Sequence, residues 1–255
     1  MPVYALFSAN AKGTVNTDTR TARIEGKSII LDPGKEIAPG DMVRLGGSLF
    51  IVKRITPADF PHSVKRGAQI IQFWDSAFII SYMGVKSGSS IIESGVGTGS
   101  MSFSILSALS GRGRLLSVDI NKEAIELARS NVSSILGEEY TSIWETEIGD
   151  ISSLHIPGAF DFCILDVPQP WEALESLSGS LRSGAILCFY CPTFNQVEHT
   201  VADLARHGFR FLESHELIDR KLLVRDNATR PDSDLIGHTA FLSFAIKTSG
   251  ISVKF

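Results

Sequence analysis

The sequence contains few cysteines and no apolar run long enough to cross a membrane. Three cysteines among 255 residues argue against a disulfide framework. The longest apolar stretches, such as residues 185–190, are strand-sized, whereas a membrane span needs about 20 residues. The first residues lack the basic-then-apolar pattern of a secretory leader. We therefore expect a cytoplasmic protein with no membrane contact.

A metal site is not indicated by the cysteines either. Cys188 and Cys191 lie three residues apart in an apparent strand, where side chains alternate between the two faces. Their thiols should point in opposite directions, which favours two buried core residues. We expect no metal.

The net charge of −4 is distributed unevenly along the chain. Residues 1–70 contain ten Lys and Arg against six Asp and Glu, whereas the remainder contains 14 against 22. A basic N-terminal part is compatible with a small module that contacts a polyanion. Ordinary surface variation explains so small an excess equally well.

Turn signals and short apolar runs divide the chain into two parts. Residues 1–60 predict a small antiparallel barrel or curled sheet, with strands at residues 4–7, 28–31, 42–45 and 49–52. Pro57 to Pro61 mark a linker, and apolar spacing over residues 65–83 predicts an amphipathic helix. We place the domains at residues 1–60 and 61–255.

Strand and helix patterns alternate from Ser89 onward, which is typical of an open α/β sheet. Strands are expected at residues 90–94, 115–119, 142–147, 161–166, 185–191, 209–217 and 239–247. Helices are expected near residues 99–110, 121–136, 171–181 and 194–207. About twenty polar residues join the last two strands, which favours an antiparallel finish. The fold class is therefore α/β, a Rossmann-like, mostly parallel sheet with an antiparallel last strand.

A glycine-rich turn follows the first of these strands. Glu93 ends the strand, and the glycines follow in the order G-x-G-x-G, with Ser100 where a dinucleotide fingerprint has its last glycine. An acid before the glycines repels a pyrophosphate but suits a cationic ligand. The turn favours S-adenosylmethionine, which carries a sulfonium and an ammonium; a phosphate-binding loop and an unoccupied turn remain as alternatives. The expected cofactor contacts in this stretch are Glu93, Gly95, Gly97, Thr98, Gly99 and Ser100.

Four acids occupy the carboxyl ends of predicted strands, where open α/β sheets bind ligands. Glu93 should lie near the cationic end of the cofactor, and Asp119 near its ribose. Asp150 is placed to accept from the adenine amino group. Asp166 opens a loop stiffened by two prolines and followed by Trp171. A substrate should meet the cofactor at that loop, although a proline-rich turn with a packed Trp is the structural alternative.

The motifs after residue 57 together resemble the tRNA (adenine-58-N1)-methyltransferase family, whose members act on the T-loop adenine. The resemblance covers most of residues 57–247. The turn alone is shared by many methyltransferases, whereas the later motifs together are specific. The matching positions are Gln69, Ile70, Ile71, Asp75, the turn from Glu93 to Gly99, Asp166, Pro168, Pro170, Trp171, Tyr190, Pro192, Thr193, Gln196, Glu216, Arg220, Arg230, Pro231, Gly237, His238 and Thr239.

One departure concerns the substrate side. Gln72-Phe73-Trp74 replace the family's usual Tyr-Pro-Lys, so the tyrosine that lies beside the target base in relatives is missing. Either Gln72 or Trp74 substitutes for it, or the base specificity differs. The expected substrate contacts are Gln72, Trp74, Tyr190 and His238, of which His238 has a purely structural alternative.

The resemblance implies a homotetrameric enzyme that transfers a methyl group from S-adenosylmethionine to N1 of a tRNA adenine. Asp166 is the expected catalytic residue, and it should also contact the cofactor. Two alternatives stay open. The same cofactor domain methylates a small molecule or a protein in other enzymes, and a non-catalytic tRNA-binding partner keeps the fold without the cofactor.

Overall fold

The computed structural model describes residues 3–8, 11–31, 36–65, 67 and 69–250. An N-terminal antiparallel sheet precedes a larger α/β part. Within these residues no helix has the length and apolar character of a membrane span.

The N-terminal part consists of six short strands. They are β1 (Val3–Phe7), β2 (Lys12–Asn16), β3 (Thr21–Ile24), β4 (Lys27–Ile30), β5 (Met42–Leu45) and β6 (Ser48–Arg54). Their spatial order is β4-β3-β2-β1-β6-β5, with every neighbouring pair antiparallel. Since the described parts of β4 and β5 are not paired with each other, the sheet is open. A separate small core fills it, made of Leu6, Val15, Ala22, Phe50 and Val52.

All four N-terminal strands expected from the sequence are present, and two more were missed. β2 and β3 are only five and four residues long and contain few apolar residues. Pairing with β1 and β4 holds them in place, and this long-range pairing is invisible in a local pattern.

The helix expected over residues 65–83 is wrong in its first half. A four-residue helix, α1 (Phe60–Ser63), is followed by irregular chain, and α2 runs only from Phe73 to Met83. Ile70 and Ile71 are buried although they are not helical. The carbonyl oxygen of Ile71 accepts a hydrogen bond from Ser100 Oγ at 2.9 Å. That tertiary contact replaces the helical hydrogen bond that the apolar spacing predicted. Arg66 and Ala68 of the predicted helix lie outside the described residues.

The larger part is a seven-stranded mixed sheet. Its strands are β7 (Ser90–Ser94), β8 (Arg114–Asp119), β9 (Trp144–Ile148), β10 (Phe160–Leu165), β11 (Leu181–Cys191), β12 (Phe209–Glu216) and β15 (Phe241–Lys247). The spatial order is β12-β15-β11-β10-β7-β8-β9. β7 to β11 are parallel, and β15 pairs antiparallel with both β11 and β12. The predicted fold class is confirmed. A small hairpin of β13 (Leu222–Leu223) and β14 (Arg230–Pro231) interrupts the polar connection before β15.

Helices cover both faces of this sheet. They are α3 (Ser100–Leu109), α4 (Lys122–Ser133), α5 (Glu138–Thr141), α6 (Leu174–Ser180) and α7 (Phe194–Leu204), with 3-10 turns at Pro170–Ala173 and Ala205–His207. Asn121 caps α4 as expected, because its side chain accepts from the amides of Glu123 and Ala124. Cys188 belongs to one core cluster and Cys191 to the other, so their thiols are buried on opposite faces.

Candidate active site

A cavity of about 320 Å³ lies at the carboxyl ends of β7 to β10. This edge of a parallel sheet is where ligands bind in open α/β folds, and the volume falls in the range of small-molecule sites. The lining residues include Ser94, Gly95, Asp119, Ile120, Gly149, Asp150, Ser152, Asp166, Gln169 and Glu172.

Gly95 brings the glycine turn against the loop after β10. Its φ is +87°, a left-handed conformation that favours glycine. A Cβ at this position would lie 1.9 Å from the carbonyl oxygen of Asp166. The amide of Asp166 in turn donates to the carbonyl oxygen of Ser94 at 2.8 Å. The glycine turn that begins at Gly95 (the cofactor turn) and the loop after β10 that begins at Asp166 (the substrate-side loop) are therefore in direct backbone contact.

The rest of the turn packs inward instead of lining the cavity. A Cβ on Gly99 would meet Ala128 and Val132 of α4 at 3.1 Å. The carbonyl oxygen of Thr98 accepts from Asn131 Nδ2 at 3.0 Å. Both contacts pack α4 against the start of α3, so Thr98 and Gly99 stabilise the turn and do not line the cavity.

Asp119 closes the turn from the end of β8. Its Oδ2 accepts from the amides of Val96 at 2.8 Å and Gly97 at 3.5 Å, and its Oδ1 accepts from the amide of Asn121 at 2.8 Å. Each carboxylate oxygen has two lone pairs, so capacity for a ligand hydroxyl remains. Asp119 thus shapes the turn and also faces the cavity.

Glu93 is buried beneath the turn and lies outside the cavity lining. Its Oε2 accepts from the hydroxyls of Ser102 at 2.7 Å and Ser117 at 2.5 Å. Its Oε1 is buried and has no partner among the described residues. Burial raises the pKa of Glu93 to about 7, against the lowering effect of the two serines, and the charges of Asp166 and Asp119 raise it further. An unpaired buried acceptor of this kind is stabilised by positive charge nearby.

Asp166 presents a carboxylate to the cavity at the end of β10. No described residue donates a hydrogen bond to it, and burial together with the charge of Asp119 raises the pKa of Asp166 to about 6. The following loop is tied down from α7, because Gln196 Nε2 donates to the carbonyl oxygen of Pro168 at 2.9 Å. The hydroxyl of Thr193 donates to Gln196 Oε1 at 2.7 Å and so holds the Gln196 side chain in place.

Asp150 faces the same cavity from the loop after β9. Its Oδ1 accepts from the amide of Ser152 at 2.9 Å, and this backbone hydrogen bond lowers the pKa of Asp150. The carboxylate therefore stays charged and its loop stays ordered.

Tyr190 is buried, and its hydroxyl donates to Asp75 Oδ2 at 2.9 Å. Burial raises the pKa of Asp75, while the Tyr190 hydroxyl lowers it. This pair joins β11 to the first turn of α2, away from the cavity lining.

His238 joins two chain segments at the end of the sheet. Its Nδ1 lies 2.6 Å from Glu216 Oε1, and its Nε2 lies 2.9 Å from the carbonyl oxygen of Pro192. Since a carboxylate and a carbonyl oxygen are both acceptors, this arrangement favours the doubly protonated ring, which donates from both nitrogens. The hydrogen bond with Glu216 accordingly raises the pKa of His238.

Gln72 and Trp74 lie at the start of α2 and line a different cavity, between the two parts of the chain. Gln72 Nε2 donates to the carbonyl oxygen of Ile70 at 3.3 Å. The structure therefore brings Gly95, Asp119, Asp150 and Asp166 together in one cavity, and it separates Gln72, Trp74, Tyr190 and His238 from that cavity.

Sequence reasoning missed several residues of the site. Ile120 is 75% exposed on the cavity rim directly after Asp119, where an apolar side chain suits the face of an aromatic ring. The signal in the sequence that could have identified Ile120 is its position directly after Asp119, the acid at the end of β8. Gln196 and Thr193 were recognised as motif positions, but their role in holding the Pro168 carbonyl depends on the tertiary structure.

The charge of the cavity discriminates between ligand classes. Asp119, Asp150, Asp166 and Glu172 line it, and the described lining contains no Lys, Arg or His. A pyrophosphate would be repelled, whereas a sulfonium and an ammonium would be attracted. The unpaired Oε1 of Glu93 points to the same conclusion. The residues present therefore fit S-adenosylmethionine.

Comparisons with known proteins agree with this fold and with S-adenosylmethionine as the cofactor. A solved S-adenosylmethionine-dependent O-methyltransferase from Thermotoga maritima superposes with a TM-score of 0.85 at 25% identity, covering 99% of this chain and 95% of that chain. The fold and the acidic cavity define a class I S-adenosylmethionine-dependent methyltransferase.

The family follows from the sequence match. The profile described as tRNA methyltransferase complex GCD14 subunit matches residues 48–229, and the chain belongs to this family. One relative is the tRNA (adenine(57)-N(1)/adenine(58)-N(1))-methyltransferase TrmI of Methanocaldococcus jannaschii, 27% identical over 78% of this chain and 79% of the relative. Another is the tRNA (adenine(58)-N(1))-methyltransferase TrmI of Thermus thermophilus, 27% identical over 81% of each chain.

Replacing Asp119 should weaken cofactor binding. Asp119→Ala removes the acceptor for the two turn amides of Val96 and Gly97 and for the amide of Asn121, and it removes a charge that faces the cavity. The loss of charge-assisted hydrogen bonds costs about 1.5–3 kcal/mol, so titration calorimetry should show at least a roughly tenfold weaker affinity for S-adenosylmethionine. Glu147→Ala, an exposed acid on β9 outside the cavity lining, is the matched control. An Asp119→Ala protein that binds as tightly as this control contradicts the assignment.

Proposed function

We propose that the chain transfers the methyl group of S-adenosylmethionine to N1 of the T-loop adenine at position 58 of tRNA. Membership in the GCD14 family and the activities for which its TrmI relatives are named support this substrate. The observation that carries the proposal is the Asp166 carboxylate, which faces the cofactor cavity without a hydrogen-bond donor among the described residues.

The proposed cofactor contacts are made around the turn and at the strand ends. Asp119 would hold the ribose, Asp150 the adenine amino group, and Glu93 would act on the cationic end through charge from beneath the turn. Gly95 gives the ligand access to the backbone, while Gly97, Thr98, Gly99 and Ser100 keep the turn in shape. When bound, S-adenosylmethionine supplies an electrophilic methyl group on sulfur.

Adenine N1 has an in-plane lone pair, so no residue needs to deprotonate it before attack. Orientation of N1 toward the methyl carbon supplies most of the acceleration. In the proposed mechanism, the Asp166 carboxylate accepts a hydrogen bond from the N6 amino group and fixes the ring. The same carboxylate stabilises the positive charge that methylation places on the base. Because the adenine lies inside a folded T-loop, the RNA must open locally to present it.

The remaining parts of the proposal concern organisation and substrate contacts. We propose a boundary near residue 60 between the N-terminal sheet and the methyltransferase domain, a homotetramer, and a cytoplasmic location. Tyr190 and His238 would act on substrate indirectly, since the first braces α2 through Asp75 and the second braces the segment at Pro192. Gln72 and Trp74 would meet the RNA outside the cofactor cavity.

Mapping the product tests the substrate directly. Unmodified tRNA incubated with the protein and S-adenosylmethionine should acquire one methyl group that stops reverse transcription or causes misincorporation at adenine 58, because N1 methylation blocks base pairing. A tRNA with adenine 58 replaced by guanine is the control. Cofactor-bound protein that methylates no tRNA nucleotide, or methylates another atom, would rule out the proposal and favour a different substrate or a non-catalytic partner.

The charge on Asp166 should set both turnover and its pH dependence. Asp166→Asn keeps the size and removes the charge, so single-turnover rates should fall by roughly 100-fold, the low end of an electrostatic contribution. Because the carboxylate must be ionised and its pKa is raised to about 6, the wild-type rate should fall as the pH drops through that value. The Asn variant should lose this acidic limb. An Asn variant with normal turnover, under saturating cofactor and tRNA, would eliminate Asp166 as a catalytic residue.

A further inference from the structure

A second cavity, the interdomain cleft, lies between the N-terminal sheet and the start of α2. It has a volume of about 570 Å³ and is lined by Lys12 of β2, Lys53 of β6, Trp74 of α2 and Lys221 from the connection after β12. This volume is large enough for a nucleotide-sized ligand. No part of the proposed chemistry at the cofactor cavity uses it.

The interdomain cleft is basic, in contrast to the acidic cofactor cavity. Asp59 is its only acidic residue among the described lining, and it pairs with Lys53 at 2.9 Å. Neither Lys12 nor Lys221 forms an ion pair with a residue that the structure describes. Two uncompensated lysines facing one cleft attract an anionic group such as a phosphodiester.

Trp74 contributes an aromatic side chain to the lining of the interdomain cleft. Its indole packs edge-on against Phe73, with ring centroids 5.2 Å apart and an interplanar angle of 77°. Trp74 Nε1 is buried and has no acceptor among the described residues. A buried donor without a partner is costly. Because Nε1 is buried, a ligand in the cleft does not reach it, and the aromatic ring of Trp74 is the feature that a nucleobase would match by stacking.

The interdomain cleft is separated from the cofactor turn by one extended segment. Gln69, Ile70 and Gln72 line the cleft. The intervening Ile71 turns its carbonyl oxygen to Ser100 Oγ, at the first residue of α3. The cleft lining and the start of α3, the helix that follows the glycine turn, are therefore in direct contact.

We propose that the interdomain cleft binds an unpaired, non-target nucleotide of the RNA substrate, with its base against Trp74 and the adjoining phosphates near Lys12 and Lys221. This inference rests on the proposed function for the identity of the polymer as RNA. It assigns to Trp74 a role in holding the strand, apart from the target base itself. Aromatic stacking combined with a basic groove is how proteins hold single-stranded nucleic acid without reading its sequence.

The test compares three variants in the full-length protein by fluorescence anisotropy, with an unmodified tRNA transcript titrated at several salt concentrations. Trp74→Leu should weaken binding roughly 5- to 150-fold and leave the salt dependence unchanged, because no charge is lost. Lys12→Gln and Lys221→Gln should each lower the slope of log Kd against log salt by about 0.7–1. Lys86→Gln, an exposed lysine outside the cleft lining, is the matched control and should behave as wild type.

Calorimetry with S-adenosylmethionine verifies the fold of each variant. If Trp74→Leu disturbs the fold, Trp74→Phe replaces it, since the phenyl ring keeps an aromatic side chain but offers a smaller stacking surface, and its tRNA affinity should still fall. Lysine and Trp74 variants that bind tRNA with the affinity and salt slope of Lys86→Gln would overturn the cleft proposal, even if adenine 58 is methylated. If the wild-type protein does not methylate tRNA but the Trp74 and lysine variants still bind tRNA more weakly, only the proposed reaction is overturned.

Discussion

The cofactor turn and the substrate-side loop meet at Gly95, where a Cβ would lie 1.9 Å from the carbonyl oxygen of Asp166. This contact couples the two halves of the site, because the glycine that opens the turn and the acid that faces the cavity from the end of β10 share a backbone interface. Around it, Asp119 accepts from the turn amides and Gln196 holds the loop carbonyl of Pro168. The position of Asp166 relative to the glycine turn follows from this close approach.

The same contact concentrates negative charge. Burial raises the pKa of Glu93 to about 7 and that of Asp166 to about 6, and the charges of neighbouring acids add to both shifts. A carboxylate with a raised pKa destabilises the folded state above that pKa, and a cationic ligand offsets this cost. The uncompensated negative charge of these carboxylates is thus the reason that the site suits a sulfonium better than a phosphate. The interdomain cleft has the opposite charge, which suits a polyanion beside a cationic cofactor.

Much of the α/β part could be predicted from the sequence because its central strands are apolar runs that end in acids, as at Asp119 and Asp166. The predicted helix over residues 65–83 was wrong in its first half because a contact between Ile71 and Ser100, 29 residues apart, outweighs local spacing. For the site, the positions of Asp119, Asp150 and Asp166 at or just after strand ends correctly predicted that these acids lie at one edge of the sheet. It did not reveal that Glu93 lies beneath the turn, since that depends on serines from α3 and β8.

The most direct test of this account is the tolerance of Gly95 to a methyl group. Gly95→Ala should lower the melting temperature and weaken S-adenosylmethionine binding, because its Cβ meets the Asp166 backbone and its φ of +87° is strained for alanine. Gly137→Ala is the matched control, since its φ is −70° and a Cβ there meets nothing within 4 Å. A Gly95→Ala protein that melts and binds the cofactor like the Gly137→Ala protein would contradict the claim that this contact organises the site.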